Sequence, residues 1–454
     1  MKSKKVLIPI AVLLLTVISF YSMVDTNMKT AREYKQVLDT ARDYASEGIV
    51  DDAVKYYKKA LEYKTDAATY IEYVNVYVDN GQEKKALRVA EEMVKEVKNS
   101  APAYECLLDR YIALKDYESC FSLDDEVTKK HVRSDGFAAK MSQIEYTYAQ
   151  DYQIYAEVKT FSGGFAAVKS GELYGIVDET GNRVLNKSYK DAGCFSYYTN
   201  ENNTDDSGYV IPVLTEDGRW MYISSTGNKK IEIDSSLKFE TLGLYVDKGL
   251  IAASIDGKYS YYDTDFEEQF GGYVYAGTFN CGRAAVMTAE NEWYIINEKG
   301  ERINETPYLD VILDEKEIAF RNDRAFVLID SNYYLIDIDG KIIGDQKYTD
   351  AQPFLSVKNN DNTPVLAAVC MNGKWGFIDT DGKIVIEPQF MNAHSFSNAY
   401  AAVEVNGKWG FIVSDGTLII DYTFDDVKDF NSKGCVFTNT NSRWSLIKLY
   451  RYNH

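Results

Sequence analysis

The sequence predicts a multidomain chain: a single N-terminal membrane-spanning helix, an all-α solenoid of paired helices, and an all-β array of about eight meander units. Three observations predict it. An uncharged run fills Val6 to Val24. Apolar residues recur at helical spacing from Thr30 to about Tyr152. From Tyr155 onward, alternation of period two takes over, punctuated by Gly, Asn and Asp turns. The expected divisions are a cytoplasmic N-terminus at 1–5, a membrane anchor at 6–24, helical repeats at 30–152 and a β domain at 155–450.

The apolar run is the first element. About nineteen residues of helix rise close to 28 Å, enough to cross a hydrocarbon core. Lys2, Lys4 and Lys5 precede the run, and no Ala-x-Ala pattern or lipobox cysteine follows it. An uncleaved anchor is therefore expected rather than a signal peptide. The lysine bias puts the N-terminus in the cytoplasm and the bulk outside the plasma membrane. Six isolated cysteines, none at CxxC spacing, suit an extracytoplasmic protein that does not depend on disulfides.

The helical segment repeats. Tyr44, Gly48, Ala53, Tyr57, Ala60 and Leu61 form one set, and Tyr77, Gly81, Ala86 and Ala90 repeat it about thirty-three residues on. Tyr111, Lys115 and Cys120 form a third, altered copy. Ala53 and Ala86 let two helices approach closely, and Gly48 and Gly81 end a helix in the left-handed conformation. Ser134 or Asp135 is expected to cap a last helix running to Gln150. This pattern resembles the tetratricopeptide repeat, though it lacks the usual tryptophan. The resemblance implies helical hairpins whose concave face could take a peptide.

The β-repeats are clearest near the C-terminus. Asn406-Gly407 joins two apolar runs, a strong hairpin signal, and Asp415-Gly416 marks the next turn. Each unit is thus expected to be a three-stranded meander. Gly373-Lys374-Trp375-Gly376-Phe377-Ile378 and Gly407-Lys408-Trp409-Gly410-Phe411-Ile412 are nearly identical. They resemble the WG-repeat family of bacterial proteins. The aromatic position recurs as Tyr174, Trp220, Tyr259, Trp293, Tyr333 and Trp444, while the glycine becomes Met221, Ser260, Tyr294, Tyr334 and Ser445 in five units.

A second marker gives the same count. An aromatic, an apolar residue three on and an aromatic three further recur, as in Phe424-Val427-Phe430; the set opening at Tyr308 lacks the final aromatic. Both faces of such a unit are apolar, so neighbours must cover them. Radial stacking gives a β-propeller and linear stacking an open β-solenoid. The propeller is preferred, because the segment at Tyr155 could pair with the last unit and close a ring.

Function classes narrow by exclusion. A formal net charge of −19 repels phosphate, so no nucleic-acid partner is expected. No catalytic motif, cofactor site or metal ligand set stands out, so the expected protein is not an enzyme. The five tryptophans share one repeat position and are expected to pack. Asp337-Ile338-Asp339-Gly340 and Asp379-Thr380-Asp381-Gly382 read as turns, not calcium loops. Two insertions, Ser196 to Gly208 and Leu355 to Thr363, should emerge on one face and are the candidate binding loops. Their candidate residues are Tyr197, Tyr198, Asn202, Asp205, Lys358, Asn360 and Asp361. The expectation is a membrane-tethered, non-catalytic module that binds protein partners through its repeat surfaces. Binding of a cell-wall polymer and an enzyme hidden between Gly208 and Asp345 stay open beside it.

Overall fold

Gly48 and Gly81 do what a helix end requires of them. Both are left-handed, at φ 73° and 69°. Each donates its N–H three residues back (Gly48 to Ala45, Gly81 to Val78), and the next residue donates five back (Ile49 to Tyr44, Gln82 to Tyr77). Lys115 and His131 take the same conformation and make the same pair of bonds, so the third copy keeps its geometry without the glycine. The computed structural model describes residues 28–199, 207–246, 249–356 and 364–452. The chain falls into two compact units, Met1–Thr147 and Tyr148–His454.

The first unit is helical. Residues 28–46 form α1. Then come α2 (Val50–Tyr63), α3 (Ala67–Asp79), α4 (Glu83–Glu96), α5 (Ala101–Ala113), α6 (Tyr117–Lys130) and α7 (Asp135–Ile144). Ala53, Ala60, Ala86, Ala90 and Cys120 are wholly buried where helices cross. Ser134 is the N-cap of α7, accepting from the Phe137 N–H at 3.1 Å. The last helix ends at Ile144, before the expected Gln150, because Tyr148–Gln150 is a β-strand of the second unit.

The expected membrane anchor is corrected here. Val6 to Val24 lies outside the described residues, and among the described residues no helix is long and apolar enough to cross a membrane. Helices α2 to α7 have 10–14 residues and charged faces; a span needs about twenty apolar ones. The tether, the single-pass topology and the plasma-membrane location drawn from that run are accordingly withdrawn.

The second unit is an eight-bladed β-propeller. Its eight antiparallel sheets follow one another along the chain. Blades 1 to 8 span residues 157–189, 191–231, 241–273, 275–296, 310–337, 350–390, 392–424 and 426–449. Blade 7 shows the plan: a two-residue first strand (Asn392–Ala393), then Ala401–Val405, Lys408–Ile412 and Leu418–Phe424. The hairpin between the second and third strands turns on Asn406 and Gly407, both left-handed at φ 53° and 76°. Blades 1, 3, 6, 7 and 8 therefore have four strands where the sequence suggested three.

The two sequence markers are cross-strand partners. In four blades the aromatic opening the next marker set ends the fourth strand and faces that blade's third-strand aromatic: Tyr174 with Tyr189, Tyr259 with Tyr273, Trp375 with Phe390, and Trp409 with Phe424. Trp293 with Tyr308 and Tyr333 with Tyr348 do the same as single bridges. The last aromatic of each set instead packs between blades. Phe377 meets Phe396 at 5.0 Å and Phe411 meets Phe430 at 4.8 Å, ring centre to ring centre. Each ring so removed from water contributes about 1.5–3 kcal/mol.

The ring closes by the same rule. Tyr155 bridges Trp444, Phe161 stacks on Phe437 at 4.9 Å, and Tyr148–Gln150 pairs antiparallel with the last strand (Arg443–Leu449). Chain start and chain end of the unit thus share blade 8, and no sheet edge is left between the blades that meet there.

The glycine of the repeat has a steric cause. A Cβ on Gly410 would lie 2.5 Å from the Ile420 carbonyl oxygen, and one on Gly376 would lie 2.6 Å from that of Ile386. The fourth strand crosses directly over it, and a fourth strand of seven residues accompanies Gly175, Gly376 and Gly410. In blade 3 the glycine has changed strands: Ser260 stands in its place, and Gly271 lies opposite, where a Cβ would be 2.4 Å from that of Ser260. Blades 4 and 5, with Tyr294 and Tyr334, have three-stranded sheets.

Candidate functional site

The two-residue first strands line the propeller axis. In every blade the residue after this strand donates its N–H to the second strand: Lys159, Gly193, Gly243, Gly277, Ile312, Gln352, His394 and Lys428, at 2.8–3.0 Å. Eight equivalent positions therefore ring the axis. Three consecutive ones, in blades 2 to 4, are glycine, so one side of the ring has no side chains to fill it.

Blade 5 fills that space with its own chain. Elsewhere the marker's last aromatic follows three residues after the apolar one, as Phe430 follows Val427; in blade 5, Phe320 follows Val311 by nine. Phe320 is wholly buried, and its carbonyl accepts from Asn280 Nδ2 at 2.7 Å. Phe430 plays the same part toward Asn398, at 2.6 Å. Phe320 is thus the aromatic that the sequence reading found missing, displaced by a six-residue insertion.

The insertion turns at Asp314–Glu317. Asp314 Oδ1 accepts the N–H groups of Lys316 (2.8 Å) and Ile318 (3.0 Å), and Oδ2 accepts from the Arg321 guanidinium at 2.5 Å. Thr278 donates its N–H to the Glu317 carbonyl at 2.8 Å. A Cβ on Gly277 would lie 2.7 Å from that carbonyl oxygen, so the glycine admits the loop.

Glu315 at the tip reaches the opposite side of the ring. Its Oε2 accepts from the Thr160 N–H (3.0 Å) and hydroxyl (2.5 Å) of blade 1, and its Oε1 pairs with the Lys428 ammonium of blade 8. Its side chain is 38% open to solvent. Burial pushes the Glu315 carboxyl up, but the Lys428 charge and the bonds from Lys428 and Thr160 outweigh it, so it stays below the usual glutamate range.

Around this pair the other axial groups divide. Burial, opposed by a hydrogen bond from Tyr275, pushes Glu317 up. Burial, and then the Arg321 charge, push Lys316 below the usual lysine range. Burial pulls His394 down, but its 3.2 Å bond to Asp429 and that residue's charge reverse the effect, so the ring titrates above 6.5. Burial and the nearby Glu315 charge push the Cys194 thiol up to about 12, which leaves it without thiolate character near neutral pH. Among the described residues, no three or more His, Cys, Asp or Glu side chains stand together to hold a metal ion.

Two cavities adjoin blades 2 and 3. One, of about 230 Å³, runs from the axis between them, lined by Lys159, Gly193, Cys194, Gly243, Lys316 and Trp220 among others. The second, of about 800 Å³, has Arg219, Trp220, Lys229, Glu232 and Lys238 in its wall. Trp375 and Trp409 are buried as expected, but Trp220 lines both cavities, its Nε1–H held by the Glu240 carbonyl at 3.0 Å.

The sequence-derived binding loops are reached in part. Asn202, Asp205, Lys358, Asn360 and Asp361 lie outside the described residues. Tyr197 and Tyr198 stand on a short strand, Ser196–Tyr198, added to the second strand of blade 2. They do not act together. Tyr198 packs on Tyr245 of blade 3 at 5.5 Å, while Tyr197 is half exposed and meets the exposed Tyr209 edge-on at 5.3 Å. Tyr209 in turn lies over Gly163 and borders an open groove of about 800 Å³ with Phe165, Asp178, Thr180 and Ser432. The two Asp-rich runs are turns: Asp337 and Asp379 each accept two backbone N–H groups of their own loop.

Sequence reasoning missed the axial group. Its one legible trace was the nine-residue spacing from Val311 to Phe320 where three is the rule.

No curated protein matches the chain. Among solved structures, BamB from Moraxella catarrhalis is similar at 9% identity and a TM-score of 0.38, covering 68% of this chain and 98% of its own. The WD40 domain of SCAP from fission yeast is similar at 8% identity and a TM-score of 0.39, covering 68% and 99%. The Sgt2 TPR domain from Aspergillus fumigatus is similar at 16% identity and a TM-score of 0.21, covering 24% and 76%. One family model matches: residues 335–375, 375–409 and 409–444, running from blade 5 to blade 8, are each similar to the WG containing repeat.

Proposed function

We propose that this is a non-catalytic interaction protein that binds a protein partner on the propeller face carrying the connections between first and second strands. The observation that carries it is the exposed pair Tyr197 and Tyr209 beside the blade 1 groove. Large, stiff aromatic rings held by strands are the usual anchors of protein interfaces. Here the strand Ser196–Tyr198 fixes one ring and the backbone at Gly163 supports the other.

The test is affinity capture with the full chain and with a Tyr197→Ala, Tyr209→Ala double variant of unchanged melting temperature. Retention of the partner is expected to drop at least about tenfold, the loss of one anchor of about 1.4 kcal/mol or more. A partner set that the double variant retains equally well contradicts the reading.

A further inference from the structure

In seven blades the third-strand aromatic is bridged to the aromatic that ends the blade. Three of these pairs, Trp293 with Tyr308, Tyr333 with Tyr348 and Trp444 with Tyr155, exchange both backbone hydrogen bonds at 2.8–3.1 Å. Blade 2 is different. Its last strand, Lys229–Ile231, pairs only with Tyr222 and Ile223, and among the described residues none bridges Trp220 on that side. The ladder with the second strand fixes where the Trp220 backbone points. Thr215 bonds to the Arg219 carbonyl, so the next pair, Leu214 with Trp220, is the non-bonded kind, and the Trp220 N–H and carbonyl face outward. Among the described residues neither has a hydrogen-bond partner there.

The residues that would fill the place lie elsewhere. Phe390 and Phe424 pack on Phe377 and Phe411 of their own blades. Phe239, the equivalent residue for blade 2, packs on Tyr262 and Phe266 of blade 3, at 5.1 and 6.0 Å. Glu240 follows it and accepts the Gly257 N–H of blade 3 at 2.8 Å. What stays behind is the cavity of about 800 Å³ beside Trp220. Unpaired strand backbone beside such a space is a template for another strand.

The wall has no surplus of either charge. Arg219, Lys229 and Lys238 face Glu232, Asp234 and Glu240. Lys229 pairs with Glu232 at 2.7 Å, and Lys238 donates to the Ser235 carbonyl at 2.7 Å. Asp234 accepts the Ser236 N–H at 2.8 Å. Arg219 pairs with Asp217 of its own turn at 2.6 Å, with both side chains more than half exposed, so that pair is cheap to exchange. Blade 7 shows the exchange partner. There Lys408, just before Trp409, pairs at 2.5 Å with Asp425, just after Phe424. Arg219 stands just before Trp220 in the same way.

We propose that the outer edge of blade 2 takes an extended segment of a partner protein as its missing strand. The segment carries an aromatic residue opposite Trp220, followed by an acidic residue at Arg219. This surface is separate from the one that Tyr197 and Tyr209 present.

The test is calorimetric titration of the full chain with a capped peptide copying residues 417–426, the fourth strand of blade 7. One-to-one binding is expected. It should weaken at least about tenfold when the peptide's phenylalanine is N-methylated, which removes the donor to the Trp220 carbonyl. Arg219→Glu should weaken binding severalfold, and a peptide with lysine in place of the aspartate after its phenylalanine should restore it. Hydrogen exchange at the Trp220 amide should slow on binding, while that at Trp409 stays unchanged. No saturable binding, equal binding of the N-methylated peptide, failure of the charge swap or protection away from Trp220 overturns the proposal. So does a dimer of the chain, seen in analytical ultracentrifugation, that Arg219→Glu dissolves, since the edge would then be taken by a second copy. The Tyr197→Ala, Tyr209→Ala variant should bind the peptide unchanged, so this proposal and the proposed function fail or stand separately.

Discussion

Replacing Phe320 with alanine is expected to destabilise the propeller by about 3–5 kcal/mol, the usual cost of emptying a buried phenylalanine site. Its ring is wholly enclosed, in a cluster with Ile295 of blade 4 and Val311, Ala325 and Ile336 of blade 5. The substitution therefore opens a cavity at a blade junction rather than on the surface. The loss falls in the same range as for Phe396→Ala, because both rings hold equivalent positions in their blades. Denaturant unfolding of the two variants checks this. A cost below about 1 kcal/mol for Phe320 would mean the insertion carries no structural aromatic.

The repeat glycine gives the second large effect. Gly410→Ala is expected to cost about 2–3 kcal/mol, the range for forcing atoms into a packed interior. The added Cβ would meet backbone, the Ile420 carbonyl oxygen at 2.5 Å and the Asp421 carbonyl carbon at 3.1 Å, and backbone of a paired strand cannot turn aside. Gly271→Ala in blade 3 should behave alike, since its Cβ would fall on Ser260. Thermal unfolding of the two variants measures both. A neutral Gly410→Ala would show that the fourth strand does not cross where Leu418–Phe424 is placed.

Much of this architecture could be read from the residues, for reasons these two positions illustrate. The hairpin at Asn406-Gly407 and the glycine after Trp409 report local constraints, a turn and a close approach, and local constraints leave local marks. The count of eight blades was legible because the third-strand aromatic and the fourth-strand aromatic must face each other in nearly every blade. Their assignment was not: the aromatic that seemed to open a unit closes the one before it, as Tyr155 does for Trp444. The two-residue first strands are too short to show a period, so the units looked three-stranded.

The axial site was harder still. Thr160, Glu315 and Lys428 are more than a hundred residues apart in sequence, and only ring closure brings them together. The six-residue insertion looked like a degenerate repeat, since the eye seeks Phe320 at the wrong spacing. Tyr197 and Tyr198 adjoin in sequence, but on a strand neighbouring side chains point to opposite sides, so one is exposed and the other packs on Tyr245. The membrane anchor was inferred from Val6 to Val24 alone, and nothing in the described helices carries it further.

Closure of the ring underlies both the packing at blade 8 and the meeting of blades 1, 5 and 8 on the axis. Ala149 and Lys448 are direct partners across the strands that close it, both with exposed side chains. With cysteine at both positions, the separation falls within disulfide reach, a Cα distance of about 4.4–6.8 Å. A 149–448 disulfide is therefore expected to form on mild oxidation, without loss of melting temperature, and to appear as one linked peptide pair in non-reducing mass spectrometry. In an open array those residues would stand at opposite ends, and a pair of cysteines that stays reduced, or links only between molecules, would contradict the closed propeller.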